Sequence, residues 1–490
     1  MRQAFSAILL AVASTTAFAQ GQTTTGPILT LDEAVTLAIR NNPTHLRTIS
    51  AQARTGAATR SAYGAFLPRV TSSFNTGFRA GGSEVVAGQQ QGSPSDILNS
   101  SYSIGVSANY SAATFLQPSV AKANENAAEA DVVSSAAVTR RDVVTQYLNT
   151  LQAQASAALQ DTLVANAQAQ VDLNRARESV GAATSLDVRR AEVQLGTARV
   201  NQLRAKNSVE NEMLRLFQFM GVQRVAGTRL TTAFPVTEPK LDLNELLQMA
   251  RVSNPAYNAA KARENAANVQ ARQARSQYLP SIGFQTGWSG NSLEQTNIEP
   301  QIASAQAQTA AARASCLTQD SLRVGAGLAP RGTCQNIQFT DADADAMRAR
   351  NNQFPFTFSK NPWSYGIGIS LPIFDGFRRE EQIQNAEASR NDARYAVRAQ
   401  ELDMVTQITS AYNTLIAGYE GVKLQEQTAA TSQQALLLAQ ERYRVGASTF
   451  TDVSQARADY EQASNTLIAA QYDFHKFYVA LETAVGRPLR

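Results

Sequence analysis

The 490-residue sequence has few of the side chains on which most catalytic and metal sites depend. It contains two histidines, two cysteines and no GxxxxGK[ST] motif that would hold nucleotide phosphates. A zinc site would need more Cys or His ligands near the cysteines, and no catalytic set of side chains can be assembled around His45 or His475. The sequence therefore predicts a protein that is not an enzyme and has no cofactor or metal, with both histidines in structural roles.

Long apolar runs and a strong net charge are also missing. Outside the first residues, no stretch approaches the 18 or more apolar residues of a membrane-spanning helix. Residues 1–19 have the pattern of a signal peptide, with Arg2, a short apolar core and a small-x-small end at Ala17-Phe18-Ala19. The net charge of +4 is small for this length and predicts no nucleic-acid partner. We therefore expect an exported protein.

The sequence contains two copies of one unit. Residues 29–43 read LTLDEAVTLAIRNNP, and residues 241–255 read LDLNELLQMARVSNP. Further along, residues 180–188 read VGAATSLDV, and residues 445–453 read VGASTFTDV. A duplicated unit that mixes helix and strand patterns is typical of one wall segment repeated to build a larger object. The predicted division is a first repeat over 28–221, a linker over 222–240 and a second repeat over 241–487.

Four short segments alternate between apolar and polar side chains, with aromatic residues near their ends. This period of two is typical of strands that have lipid on one side and a polar lumen on the other. A soluble sandwich would need more strands, and four strands cannot close a barrel alone. An open sheet edge is not tolerated in lipid, so other chains must complete the barrel. The four segments lie at 70–78, 102–110, 282–288 and 363–371.

The rest of the sequence predicts long helices. Segments 118–180 and 376–445 have few glycines and no proline after position 118, and each would reach about 100 Å at 1.5 Å per residue. Apolar residues with 3-4 spacing, many of them alanine, follow each segment and predict coiled-coil packing. The predicted fold class is mainly α, with duplicated long coiled-coil helices and four strands per chain.

In this order, these motifs resemble the TolC-type outer-membrane efflux proteins over essentially the whole mature sequence. The resemblance rests on the paired starts at 29–43 and 241–255, the paired turns at 180–188 and 445–453, and the segment WSYGIGISLPIFDG at 363–376. The resemblance implies a homotrimer with a 12-stranded barrel in outer-membrane lipid and a helical tunnel across the periplasm. It also implies two protein partners, a periplasmic adaptor (membrane fusion) protein and an inner-membrane pump of the RND or ABC type.

The function implied by the resemblance is a passive exit duct for small molecules. The same architecture also serves type I protein secretion, and the sequence does not separate the two. A periplasmic coiled-coil scaffold is an alternative of another class, but it predicts no lipid-facing strands.

The resemblance assigns roles at the two turns. Asp452 matches a carboxylate that forms a ring at the pore constriction of a trimer, where three such groups attract cations and raise one another's pKa. Asp187 and Tyr443 match residues whose hydrogen bonds hold the entrance closed. The residues that match adaptor-contacting turns are Gly181, Ala182, Gly446 and Ala447.

Purely structural roles are the alternative for these residues. An acidic residue early in a helix also caps it and pairs with its dipole, and the turns can simply be exposed. The sequence departs from the family pattern at Ser448, where an arginine often stands, and at Gln455, where a second carboxylate ring can lie. Arg189, Arg190 or Arg444 would then have to supply the closing network.

Segment 289–361 is longer than its counterpart in the first repeat and is polar. It contains Cys316 and Cys334, which we expect to form a disulfide in an oxidising compartment. Strand polarity predicts that the segment is an extracellular loop, and we expect it to be irregular, variable surface.

Overall fold

The computed structural model describes residues 27–86, 89–93, 95–230 and 234–489. The predicted signal peptide at 1–19 lies outside these residues. The chain divides into two compact units. The helical unit comprises Met1–Arg54, Asn126–Arg263 and Arg394–Arg490, and the strand unit comprises Thr55–Glu125 and Glu264–Ala393.

The helices repeat between the two halves of the sequence. The first four have 11, 22, 68 and 36 residues, and their counterparts in the second half have 11, 21, 67 and 36. The helices are α1 (Leu31–Asn41), α2 (Pro43–Gly64), α3 (Ala112–Ser179), α4 (Ser185–Met220), α5 (Leu243–Ser253), α6 (Pro255–Arg275), α7 (Glu299–Gly325), α8 (Asp341–Asn351), α9 (Arg378–Arg444) and α10 (Phe450–Val485).

The helix α3 begins six residues before Pro118, where the sequence predicted its start. Pro118 lies in the second turn and removes one backbone hydrogen bond there without ending the helix. None of the described helices combines the length and apolar character needed to cross a membrane.

The strands are β1 (Ile28–Leu29), β2 (Arg69–Arg79), β3 (Gly82–Val86), β4 (Gln89–Ser93), β5 (Ile97–Ser111), β6 (Arg229–Leu230), β7 (Ser281–Gln295), β8 (Ser359–Lys360) and β9 (Ser364–Ser370). The main sheet is antiparallel and has the order β2-β5-β7, with β8 and β9 both paired to β7. The strands β2, β5 and β7 contain the first three predicted segments, and β9 covers 364–370 of the predicted segment 363–371, so the prediction of four strands is confirmed.

The register of the main sheet separates apolar from polar side chains. Ile104 of β5 lies opposite Trp288 of β7, and Phe284 of β7 lies opposite Ile367 of β9. The other face carries mostly glycine, serine, threonine, asparagine and glutamine. The apolar side chains are exposed, and Ile369 reaches 75%. Most of the apolar face of this sheet is therefore uncovered within the chain, unlike that of a strand layer that covers a core.

The core of the helical unit is also duplicated. Around α1, the buried side chains include Val35, Tyr147 and Leu216, and the Tyr147 hydroxyl donates to the carbonyl of Leu29 over 2.8 Å. Around α5, the equivalent cluster includes Met404 and Leu481. Burying such side chains contributes about 1.5–3 kcal/mol each, which holds each short helix against its long neighbours.

The Asn-Pro pair that ends both repeat starts has a structural explanation. Asn42 donates from Nδ2 to the carbonyl of Phe219 over 2.8 Å, and Asn254 donates likewise to Ala484 over 2.7 Å. The Oδ1 atom of each asparagine accepts from the first amides of the next helix. Each side chain therefore satisfies one helix end and one helix start.

The two histidines are buried and hydrogen-bonded, in agreement with structural roles. His45 Nδ1 lies 3.2 Å from Ser135 Oγ, and His475 Nε2 lies 3.1 Å from the carbonyl of Phe234.

The expectation of an irregular loop at 289–361 is wrong. Its first residues extend β7 to Gln295, and α7 and α8 occupy most of the remainder. Alanine and glutamine, which are good helix formers, dominate the first half of α7 and explain this result. Cys316 in α7 is disulfide-bonded to Cys334, with 5.6 Å between their Cα atoms.

The glycines that end α4 and α10 lead to a prediction. Gly221 has φ +70°, and a Cβ there would overlap the backbone of Asn41. We expect Gly221→Ala to destabilise the fold by more than the roughly 1–2 kcal/mol that left-handed backbone costs an L-residue. The measurement is the thermal midpoint of helix signal by circular dichroism.

The control is Gly196→Ala in the middle of α4, where the new Cβ meets open space. That substitution should stabilise the helix by about 0.5–1 kcal/mol. Equal midpoints for the two variants would contradict the prediction.

Candidate functional site

The two turns that join the long helices have the same backbone geometry. We call residues 180–184 and 445–449 the tip turns. Gly181 has φ +71° and Gly446 has φ +81°, a left-handed conformation that glycine adopts without strain. Ala182 donates from its amide to the carbonyl of Arg177 over 2.8 Å, and Ala447 donates to Arg442 over 2.7 Å. This is the Schellman pattern, in which the turn satisfies the last carbonyls of the helix.

The tip turns expose small and apolar side chains. Val180 is 76% exposed and Val445 is 72% exposed, and the Gly-Ala pairs beside them are exposed as well. The two valines were not among the predicted contact residues, although both repeats carry them at the same position. The surface offered by each turn is therefore a small Val-Gly-Ala patch.

Both predicted acidic residues cap the helix that follows their turn. Asp187 accepts through Oδ2 from the amide and hydroxyl of Thr184 at 3.1 and 2.8 Å, and Asp452 accepts from Thr449 at 2.9 and 2.9 Å. In return, each threonine hydroxyl accepts from the aspartate amide over 3.3 Å. These reciprocal bonds form a capping box, so capping accounts for both residues within one chain.

The capping bonds also affect the charge of Asp452. The hydrogen bonds from the Thr449 backbone and hydroxyl hold the pKa of the Asp452 carboxyl below its ordinary value, and the nearby charge of Arg442 acts in the same direction. This is opposite to the raised pKa expected from a ring of three carboxylates. Within one chain, Asp452 is therefore ionised at neutral pH.

Arg177, which was not among the predicted site residues, joins the first tip turn to the end of α9, directly before the second tip turn. Its Nη1 donates to the carbonyls of Tyr443 and Arg444 over 2.5 and 3.0 Å, and its Nη2 donates to Ala182 over 3.1 Å. The guanidinium carbon also lies 4.6 Å from the centre of the Tyr443 ring. One side chain from the end of α3 therefore binds the end of α9.

The three arginines that the sequence suggested for the closing network do not make this contact. Arg189 pairs with Glu192 over 2.9 Å, and Arg444 pairs with Glu441 over 2.9 Å, both on exposed surfaces of their own helices. Arg190 is exposed. A signal for Arg177 was present, because the same position of the second repeat is also an arginine, Arg442.

Tyr443 is buried between the long helices. Its hydroxyl donates to Oδ1 of Asn174 over 2.5 Å, and its ring packs 6.1 Å from that of Phe450. Burial raises the pKa of the Tyr443 hydroxyl, and the charge of Asp187 raises it further. The two predicted closing residues thus lie within electrostatic range but bond to separate partners, Asn174 and Thr184.

The two departures from the family pattern make local contacts. Ser448 donates to the carbonyl of Ala439 over 3.4 Å, and Gln455 donates to Asp459 over 2.9 Å within α10. Across the described ranges, no group of three or more His, Cys, Asp or Glu side chains is placed to hold a metal ion.

Comparison with known proteins identifies the class. The model of the outer membrane efflux protein family matches residues 34–222 and 298–487, which is more than half of the chain. The chain therefore belongs to the outer membrane efflux protein family, as the sequence motifs indicated. The two matched ranges correspond to the two halves of the duplication.

Two relatives and one solved structure describe the likeness. Outer membrane protein TolC of Escherichia coli is 22% identical over 65% of this chain, and outer membrane efflux protein BepC of Brucella suis is 25% identical over 70%. The chain spans 55% and 62% of the lengths of these relatives. The Campylobacter jejuni CmeC outer membrane channel has a TM-score of 0.69 at 14% identity, covering 93% of this chain and 85% of that one.

The structural likeness confirms the predicted fold of the chain, with duplicated long helices and four main strands. Family and fold are those of outer-membrane channels, not of an enzyme.

The contacts of Arg177 predict that it stabilises the end of α9, where the Tyr443 carbonyl also accepts from the amide of Gly446 in the second tip turn. Hydrogen bonds that involve a charged group contribute about 1.5–3 kcal/mol, and partial exposure reduces this. We expect Arg177→Gln to open the turn about tenfold more often, since roughly 1.4 kcal/mol corresponds to a factor of ten. Amide hydrogen exchange at Gly446 and Ala447 measures this opening.

Arg175→Gln is the matched control, because Arg175 is exposed on the same helix and pairs with Glu192 over 2.7 Å without contacting the second turn. If both variants exchange at the same rate as the parent, Arg177 does not hold the turn.

Proposed function

We propose that this chain forms, as a homotrimer, the passive outer-membrane exit duct of a tripartite efflux system for small molecules. One observation carries the proposal. A single chain of this family has both a sheet with an exposed apolar face and duplicated long helices that end in matched tip turns. The sheet suits insertion into lipid, and the helices suit a conduit. The sequence has no motif for nucleotide phosphates, so another protein must supply the energy.

The sheet supports a place in the outer membrane. Its exposed apolar face has the alternation expected between lipid and a polar lumen. A periplasmic scaffold would not expose side chains such as Ile367 at 69% and Ile369 at 75% to water. The scaffold alternative is therefore disfavoured.

The tip turns support contact with a periplasmic adaptor. Gly181, Ala182, Gly446 and Ala447 carry little or no side chain, so helices of a partner can approach their backbone closely. The flanking valines add apolar area that is otherwise exposed. An inner-membrane pump of the RND or ABC type would then act through this adaptor.

The first experiment is photo-crosslinking from a benzophenone amino acid placed at Ala447 in intact cells. We expect capture of a periplasmic adaptor, identified by mass spectrometry, because the second tip turn is exposed and narrow. The control is the same probe at Leu322, which is 69% exposed on α7 of the insertion.

A pump recovered with the adaptor distinguishes small-molecule efflux from type I protein secretion. Capture of the same proteins from both positions, or of none from Ala447, would contradict the adaptor contact.

We further propose that Asp452 forms the carboxylate ring that sets ion preference. Its capping bonds favour the ionised form, and its side chain is exposed, whereas Asp187 is half-buried near Tyr443. We expect Asp452→Asn to lower cation preference severalfold in single-channel recordings under a salt gradient. Asparagine can still accept the capping hydrogen bonds, so the fold is retained.

The duplication supplies the control, since Asp187→Asn changes the same charge in the same capping geometry. If Asp452 forms the ring, Asp187→Asn should lower cation preference less than Asp452→Asn does. Equal effects, or no effect of either, would rule out Asp452 as the residue that dominates selectivity.

A further inference from the structure

A short aromatic segment lies across the apolar face of the main sheet. We call residues 352–358, which join α8 to β8 and read NQFPFTF, the aromatic strap. The Phe356 ring lies 6.1 Å from that of Phe74 in β2, and the Phe358 ring lies 4.9 Å from that of Tyr102 in β5. The strap therefore crosses the outside of the sheet from β7 toward β2.

The strap is held at both ends and in the middle. At its start, Asn351 accepts through Oδ1 from the amide of Gln295 over 2.9 Å and donates through Nδ2 to its carbonyl over 2.7 Å. In the middle, the amide of Phe354 donates to Oε2 of Glu294 over 3.2 Å. At its end, β8 pairs with β7. These bonds fix the strap on the face of β7.

Beneath the strap, the face of the strands changes from apolar to polar. Ile104 and Trp288 are opposite one another, and two positions farther along comes the pair Tyr102 and Gly290. Two positions beyond these are Ser100 and Ser292, and then Leu98 and Glu294. Because side chains two apart share a face, the serines and Glu294 lie on the side that carries the apolar band.

The strap covers these polar groups. Ser100 is 0% exposed and Ser292 is 1% exposed, with 3.1 Å between their hydroxyl oxygens. Ser100 donates its hydroxyl to the carbonyl of Pro355 over 2.5 Å. A hydroxyl in an apolar environment without a partner costs about 1–3 kcal/mol on protein scales. The strap supplies the partner and puts aromatic rings on the outside.

A glycine makes room for this arrangement. A Cβ at Gly290 would come within 2.5 Å of the Tyr102 ring and 3.0 Å of the Ser359 carbonyl oxygen. The Tyr102 ring therefore lies over Gly290 and makes a T-shaped contact with the ring of Phe358. On the outer side of the strap, Phe356 is left 73% exposed.

We propose that the aromatic strap extends the lipid-facing surface of the sheet beyond the apolar band of the strands and contacts acyl chains of the outer leaflet. The proposal rests on the proposed function, in which that apolar face meets lipid. The two surfaces are continuous, since Phe356 stacks on Phe74 and Phe358 packs edge-on against Tyr102 of the same face. Lys360 pairs with Gly290 and so points to this face, where its ammonium suits a lipid phosphate.

Tryptophan fluorescence in proteoliposomes tests this inference, because the chain has two tryptophans, Trp288 and Trp363. Three full-length proteins with one tryptophan each are compared. The first keeps Trp288 and carries Trp363→Phe. The second and third lack both native tryptophans and carry Phe356→Trp or Leu322→Trp. Each is reconstituted in lipids with or without bromine on the acyl chains, and then exposed to aqueous iodide.

We expect brominated lipid to quench the probe at position 356 to the same extent as Trp288. The probe at 322, on α7, should be quenched by iodide and not by brominated lipid. If Phe356→Trp prevents folding, Phe354→Trp serves as the second probe of the strap.

The remaining outcomes separate the inference from the proposed function. Quenching of Trp288 by lipid, with the strap probe quenched only by iodide, would place the strap in water and overturn the inference alone. Protection of the strap probe from both quenchers would mean that a second copy or another protein covers it, which also overturns the inference. Failure of lipid to quench Trp288 would overturn the proposed function as well.

Discussion

A backbone amide or carbonyl in hydrocarbon has no water to bond, and each unsatisfied group costs several kcal/mol. In the described part of the chain, β2 pairs only with β5, and β9 pairs only with β7. The sheet therefore has two edges with free backbone groups. In the proposed homotrimer, each of these edges pairs with the edge of another copy, so that no backbone group is left unpaired in lipid. The proposed oligomer thus meets a requirement of backbone hydrogen bonding.

The same requirement recurs at a smaller scale throughout the chain. Asn42 and Asn254 satisfy carbonyls at the ends of α4 and α10, and the left-handed glycines close the turns after α3 and α9. On the sheet, Pro355 accepts the hydroxyl hydrogen of Ser100 where the strand face becomes polar. In each place, a polar group in an apolar or helix-end environment gains a partner from a neighbouring segment.

Local periodicity made most of the fold predictable. The alternation around Ile367 and Ile369 predicted the strand, and the predicted helical segments 118–180 and 376–445 each stop one residue after the end of α3 or α9. By contrast, two of the three acceptors of Arg177 lie 266 and 267 positions away, and no local pattern encodes such a contact. Helix α7 was not predicted because its residues form no apolar stripe, although its alanines favour a helix.

The strap shows why periodicity alone can mislead. Phe354, Phe356 and Phe358 alternate with the period of a strand, yet only Ser359–Lys360 pair with β7. Pro355 lacks an amide hydrogen and cannot donate to a ladder, so this segment leaves the sheet plane and its rings fold onto the neighbouring face. Two residues decide the path of this segment. One is Pro355, which has no amide hydrogen to donate, and the other is Gly290, which lies 65 positions earlier in the chain.

The tip turns show how duplicated sequence acquires unequal roles. Arg177 and Arg442 occupy the same position of the two repeats, but Arg177 reaches across to the other turn, whereas the charge of Arg442 acts on Asp452 beside its own turn. The two tips therefore have one backbone geometry and two electrostatic environments. The contact between Arg177 of the first repeat and α9 of the second can break without unfolding α3 or α9, because each of these helix ends is closed by its own tip turn. In the proposed duct, an entrance built on this asymmetry can open while its helices stay intact.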